Sequence, residues 1–256
     1  MSASAGLGFS GGTGCYRMSR IEIWKVFGAA VLVTVAITVP SLAGDDKEQA
    51  KQDGKQFEAL QHDLDRRADL WMRRQACPAD LFQQDQTLFS RWDLTRDYTV
   101  GECEADPAAC LKGCFDDGNE DACFQLAYIH QQNAPKALSR YSQALFAQAC
   151  AAGSDGGCTN RAAGILRGTT DDEPFLAKVD QAPSCVFRSF EVTCDAGDAW
   201  GCTMLGWQYT SGEAVAVDTA KARAAFEKSC AISPDFVACD YARMELERLN
   251  TPDGAD

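Results

Sequence analysis

Apolar and polar positions divide the chain into three stretches. Residues 26–39, VFGAAVLVTVAITV, are an uncharged run of fourteen residues. Residues 46–73 are charged and contain few breakers. There Phe57, Leu60, Leu64 and Trp71 fall on one helical stripe with Ala68 between them, the pattern of a helix with a single apolar seam. From residue 100 onward the apolar positions keep helical spacing in short blocks punctuated by glycine or proline, and the blocks repeat.

Cysteine spacing sets the repeat. Cys114, Cys150, Cys194 and Cys230 each precede a second cysteine by eight or nine residues, namely Cys123, Cys158, Cys202 and Cys239. Cys114 to Cys150 is 36 residues, Cys194 to Cys230 is again 36, and the middle step is 44. A period near 36 with one eight-residue insertion predicts stacked helix pairs. The flanks share the register. Phe146, Phe190 and Phe226 stand four residues before their leading cysteines, with Cys110 at that place in the first unit. Gly113, Ala149, Thr193 and Ser229 immediately precede the cysteines. Gly118, Gly153, Gly197 and, last, Pro234 interrupt the chain inside each pair. Each unit therefore reads as helix A, tight turn, helix B. The first cysteine ends helix A and the second opens helix B, close enough for a disulfide. The expected pairs are Cys114–Cys123, Cys150–Cys158, Cys194–Cys202 and Cys230–Cys239. Cys77, Cys103, Cys110 and Cys185 remain, with three possible connectivities; the Cys103/Cys110 spacing permits a bridge, and Cys77 is able to tie the N-terminal helices to the first unit.

The front of the chain accounts for the cysteines. Arg20 and Lys25 precede the apolar run, and Pro40-Ser41-Leu42-Ala43 follows it. This is the layout of a cleaved signal peptide over residues 1–43, since a spanning helix needs about 20 apolar residues. Met18 opens a more compact signal, which would make residues 1–17 an overextended start. Twelve of the thirteen cysteines lie beyond residue 76, a density expected of a disulfide framework in an oxidising compartment. The layout expected is thus a signal segment, N-terminal capping helices over 44–99, a solenoid over 100–250 and a disordered tail over 251–256.

Charge narrows the partners. The chain carries 24 Lys+Arg against 37 Asp+Glu, a net charge of -13. Without residues 1–43, which hold Arg17, Arg20, Lys25 and Glu22, the balance is 21 against 36, or -15. Such a surface repels nucleic acid and anionic lipid, so a membrane role is confined to the signal segment before cleavage.

Residues 194–230, CDAGDAWGCTMLGWQYTSGEAVAVDTAKARAAFEKSC, resemble a Sel1-like repeat through Cys194, Gly197, Cys202, Leu205, Gly206, Tyr209, Gly212, Val217, Asp218, Ala222, Phe226 and Cys230. The unit at Cys114 matches at Gly118, Cys123 and Leu126. The unit at Cys150 keeps Gly153 and Cys158 but has Arg161 where leucine is usual, and the last unit is degenerate. The stapled pairs are similar to the cysteine-rich secreted branch of that family, the Helicobacter cysteine-rich proteins. The resemblance implies an all-α, tetratricopeptide-like α/α superhelix of about four stapled pairs over residues 100–249. It also implies protein binding and complex assembly, and, as an alternative, penicillin binding with weak β-lactam hydrolysis.

The chain's own chemistry points away from catalysis. It has neither Ser-x-x-Lys nor Lys-Thr-Gly, and Ser154-Asp155-Gly156 only faintly matches the Ser-Asp-Asn element of serine β-lactamases. His62 and His130 are far apart in sequence; His130 takes the helix-B position of Ile165 and Tyr209, as a packing residue would, and His62 belongs to the charged helix. Zinc held by Cys103, Cys110, Cys114 and Cys123 would lack any Cys-x2-Cys, which a redox site would also want. Asp116-Asp117, Glu120-Asp121 and Asp171-Asp172 fall in expected turns, where solvation or capping is the ordinary role, and Asp218 is placed to cap a helix A. No catalytic, cofactor-binding or metal-ligating residue is assigned. The expected function is an exported scaffold or adaptor, periplasmic or extracellular, holding a protein or peptide on its concave face. Helix-A side chains such as Arg140, Gln143, Lys221 and Arg223 line that face, and the insertion at 169–183 is a second place for contacts.

Overall fold

The computed structural model describes residues 58–82, 98–133, 139–167 and 183–251. The expected signal segment, Phe57, Asp171-Asp172, nearly all of the 169–183 insertion and the tail beyond residue 251 lie outside them. Helix α1 covers residues 58–65. It is followed by α2 (Ala68–Gln75), α3 (Pro78–Leu81), α4 (Val100–Ala105), α5 (Pro107–Phe115), α6 (Glu120–Asn133), α7 (Ser139–Ala152), α8 (Asp155–Leu166), α9 (Pro183–Ala196), α10 (Ala199–Ser211), α11 (Thr219–Ile232) and α12 (Val237–Asn250). Helices α5/α6, α7/α8, α9/α10 and α11/α12 are the four A/B pairs, and every helix from α5 to α12 packs on the next. The chain is an all-α solenoid of disulfide-stapled helix pairs.

Hydrogen-bonding groups at the helix ends explain the turns. The last carbonyls of a helix need donors and the first N–H groups of the next need acceptors. After α7, Ser154 N–H donates to the Ala149 carbonyl at 2.9 Å and Gly153 N–H to the Cys150 carbonyl at 3.1 Å. Gly153 has φ +110°, a backbone state that an L side chain resists. Ser154 Oγ then accepts from Gly157 N–H at 3.0 Å and starts α8. The α9/α10 turn repeats this: Asp198 N–H donates to the Thr193 carbonyl at 3.0 Å, and Asp198 Oδ2 accepts from Gly201 N–H at 2.9 Å. In the first pair Asn119 is the cap, accepting from Ala122 N–H at 2.9 Å. The last turn runs through Pro234 to Phe236, which offers no side-chain cap, so its degenerate sequence has a structural counterpart.

The turns also set the disulfide geometry. The four cysteine pairs bring Cα atoms to 4.6, 4.5, 4.4 and 4.5 Å in chain order. In the two middle pairs the residue ahead of the second cysteine has almost no room: a Cβ on Gly157 would lie 2.8 Å from the Cys150 backbone nitrogen, and one on Gly201 would lie 2.9 Å from that of Cys194. Between the pairs, Phe146, Phe190 and Phe226 are wholly buried. At the corresponding place in the first pair Cys110 bonds Cys103 of α4, with Cα atoms 5.4 Å apart, so a disulfide to a neighbouring helix takes the place of the ring.

Each short staple restrains a loop closed over eight or nine residues. In the chain-entropy picture, replacing Cys194 and Cys202 together by serine removes about 2–3 kcal/mol. Equilibrium denaturation of the oxidised double variant checks this, and an unchanged midpoint would mean that the capped glycine turn holds the pair without the bond.

Candidate binding face and its N-terminal arm

Helix α7 should be amphipathic, as a helix A with one face on its neighbours and the other lining a binding surface. Instead every residue from Tyr141 to Cys150 is buried, including Ser142, Gln143 and Gln148. A helix this polar is buried all round only when something hydrogen-bonds its polar side. That cover is the segment 58–82. The N-terminal helices do pack on the first pair, where the Arg67 guanidinium sits 4.0 Å above the Phe115 ring. They then extend beyond a cap: α2 packs on α7, and α3 packs on α7, α8 and α9.

The arm is held by matched polar and aromatic contacts. Trp71 meets Tyr141 edge-on at 5.7 Å, and its indole N–H donates to the Leu64 carbonyl at 3.1 Å, so the amphipathic ring buries its apolar body without stranding its donor. The Tyr141 hydroxyl donates to the Asp65 carboxylate at 3.0 Å. Arg140 pairs with Asp65 at 3.4 Å and lies 5.7 Å from the Trp71 ring. Arg73 donates to Gln148 Oε1 at 2.6 Å. Further on, Ala79 N–H donates to Ser189 Oγ at 3.1 Å, Arg188 of α9 donates to Asp80 at 2.9 Å, and the Pro78 carbonyl rests 3.3 Å from the Cys150 sulfur. A disulfide joins Cys77 to Cys185, with Cα atoms 5.8 Å apart and a sequence separation of 108. Cys77 is therefore tied to the third pair, not to the first as its position near the N-terminal helices suggested.

Arg161, the departure from leucine, belongs to this arrangement. It is fully buried; Nη1 donates to Gln143 Oε1 at 3.1 Å and Nη2 to the Arg74 backbone carbonyl at 2.6 Å. Burial, followed by the charge of Arg74, pushes its guanidinium down to about 9. A leucine here would leave that arm carbonyl and the Gln143 amide without these donors, both in a buried setting.

The helix-A residues expected to line one open face thus separate. Gln143 faces α8, against Arg161 and Gly164, and Arg140 grips the arm, whereas Lys221 and Arg223 stand on α11. Lys221 is exposed, with its ammonium 5.4 Å from the Tyr209 ring, and Arg223 donates to Asn250 at 2.8 Å. Lys228 reaches back to Asp195 of α9 at 2.9 Å. Charge and period did not single out Arg73, Gln148, Arg188 or Ser189. Within the repeats, the sequence signal for the docked arm was Arg161, an arginine at a leucine position.

The remaining singled-out residues have structural surroundings. His130 is fully buried, 6.0 Å from the Tyr141 ring, and burial pushes its imidazole down to about 4. His62 is exposed and hydrogen-bonds Arg66 at 2.7 Å. Asp121 accepts from Tyr98 N–H at 2.8 Å, and Asp117 pairs with Lys112 at 3.0 Å. Asp218 accepts from Lys221 N–H at 2.9 Å and caps α11. Ser154 is the cap described above. Asp198 also takes a short hydrogen bond from Thr159, and burial raises its carboxyl. Among the described residues no group of three or more His, Cys, Asp or Glu side chains is arranged to hold a metal ion.

No protein-family profile and no curated protein matches the chain. Among solved structures it is similar to the cysteine-rich protein B of Helicobacter pylori, at 19% identity and a TM-score of 0.38, over 56% of this chain and 96% of that one.

Proposed function

We propose that this chain is an exported scaffold that binds a protein or peptide segment along the helix-A side of its solenoid, in the periplasm or outside the cell. The observation that carries the reading is the rigid repetition itself. Four helix pairs, each closed by a capped turn and a disulfide, present parallel helix-A surfaces whose side chains are free to vary while the frame is fixed. One stretch of that surface already holds an extended helical segment, the chain's own arm, and α11 offers Lys221 beside Tyr209. Such a basic and aromatic strip in an acidic chain suits a partner segment that bears carboxylates. Six disulfides support an oxidising compartment.

The test is a photo-crosslinker at Ala224 of α11, with a second at Trp207 of α10 as control, in the native cell. A discrete adduct from position 224 that is lost on Lys221→Glu is expected. Equal labelling from both positions would overturn the reading, as would a stoichiometric acyl adduct with a labelled penicillin, which would replace it with β-lactam chemistry.

A further inference from the structure

The six disulfides are of two kinds. Five close sequence separations of 7 to 9 residues, and each joins consecutive helices that stay together through their own turn. Cys77–Cys185 alone joins segments 108 residues apart, and its loss would leave every A/B turn intact. It is also chemically the more approachable. Cys77 is partly exposed, while the cysteines of the first three repeat pairs and the Cys103–Cys110 bridge are at most 2% exposed. Only Cys230 of the remaining staple shares that partial exposure. A guanidinium nitrogen of Arg188, which also pairs with Asp80, lies 3.7 Å from Cys77 Sγ; a cation there favours Cys77 as the thiolate that leaves in the second exchange.

What the bond holds in place matters as much. The arm covers a polar, helix-A surface made of Tyr141 and Gln148 on α7 and Ser189 on α9. Its own elements are short, eight residues in α2 and four in α3. Helices this short have little stability off the surface, so their position depends on docking and on the covalent tie.

We infer that Cys77–Cys185 is a reducible latch that keeps residues 58–82 seated as an intramolecular occupant of the α7–α9 face, and that its reduction opens this face to a segment of the same chemistry in trans. The inference rests on the proposed binding role and gives it a site and a control. The reductant is a dithiol, whether a small molecule or a dithiol oxidoreductase. One thiolate attacks Cys77 Sγ, forming a mixed disulfide and expelling the Cys185 thiolate. The second thiol then attacks the mixed disulfide and releases Cys77 as a thiolate, which takes up a proton as Cys185 does. Two electrons pass to the protein, and the dithiol leaves as its disulfide. The trans occupant is an amphipathic segment that, like residues 65–80, presents an aromatic ring for Tyr141, a carboxylate for Arg140 and a donor for Gln148.

The test titrates the oxidised mature chain with dithiothreitol, quenches by alkylation, and maps the labelled cysteines by mass. Cys77 and Cys185 label first, with the other ten cysteines still blocked. In that partly reduced form, amide exchange in α2, α3 and α7 accelerates by about tenfold or more, as expected when a local unit opens, while α10 to α12 are unchanged. A labelled peptide of residues 58–82 then binds saturably, at least about tenfold tighter than to the oxidised chain, whose tied arm competes at high effective concentration. The double variant Cys77→Ser/Cys185→Ser, with five local bridges intact, binds the peptide without reductant. Simultaneous reduction of the staples, unchanged exchange in α7, or equal peptide binding by both redox forms would overturn the latch. A failed latch with a discrete adduct at Ala224 leaves the scaffold reading standing, and a working latch with no adduct leaves only an internal switch.

Discussion

Phe190→Ala is expected to lower the stability of the oxidised protein by about 3–5 kcal/mol, the largest effect of any single substitution in the solenoid. The ring has no exposed surface, and the cluster around it includes Ile165 from α8, Val186 and Cys194 from its own helix, Cys202 and Leu205 from α10, and Ala225 from α11. Truncation removes the transfer energy of a full aromatic side chain and leaves a cavity that the neighbours cannot refill. The nearby Cys194–Cys202 bridge, with Cα atoms 4.4 Å apart, pins the backbone on two sides and prevents collapse. Position in the array adds to the cost. In a solenoid each pair is stabilised by its neighbours, and α9 has neighbours on both sides whereas α11 ends in the terminal helix. The denaturation midpoint of Phe190→Ala should therefore fall further than that of Phe226→Ala. A loss below about 1 kcal/mol would mean that the interior pairs pack loosely and that disulfides alone keep the order, contrary to close-packed interiors.

The second large effect is set by pH. His130 is held neutral by burial, with its imidazole pushed down to about 4 from an ordinary 6.5. A depressed base binds fewer protons in the folded chain than in the unfolded one, so stability rises with pH across this interval. The contribution is fully present above pH 6.5 and is lost as pH falls from there to about 4, by which point the loss is about 3 kcal/mol. The carboxylates titrate over part of the same range, so the readout is a difference. The stability of the wild type, measured by denaturant at each pH, should fall by about 3 kcal/mol more between pH 7 and pH 4 than that of His130→Leu. Parallel curves would show that His130 reaches water and titrates normally. Since His130 faces Tyr141, which holds Asp65 of the arm, acid should loosen the arm's seat before the α11/α12 pair.

Most of the fold was legible because its determinants are local. A glycine three or four residues past a cysteine, a capping side chain next to it and a second cysteine eight or nine residues on are all decided within one turn of chain. The 3.6-residue period fixes which face Phe146, Phe190 and Phe226 turn inward, so the helix pairs and their order follow from spacing. Even the exception at Cys110 was visible as a missing phenylalanine, and the seven-residue spacing already permitted its bond to Cys103.

The arm was not legible, because docking between segments about a hundred residues apart leaves no periodic trace. The stripe of Leu60, Leu64 and Trp71 announced a helix that needed a partner, but period alone does not name the partner. Cys77 had three candidate arrangements of equal standing in sequence, and only the approach of α3 to α9 selects Cys185. Gln143 and Arg140 read as solvent-facing for the same reason: burial belongs to whatever lies across the face, and a helix cannot encode its cover in its own spacing. By itself, then, the sequence determined the stapled helix pairs, the acidic surface and the oxidising compartment expected of its cysteines. The tertiary structure alone decided that part of the helix-A face is already filled by the chain itself, since that outcome depends on hydrogen bonds and one disulfide between residues far apart in the chain.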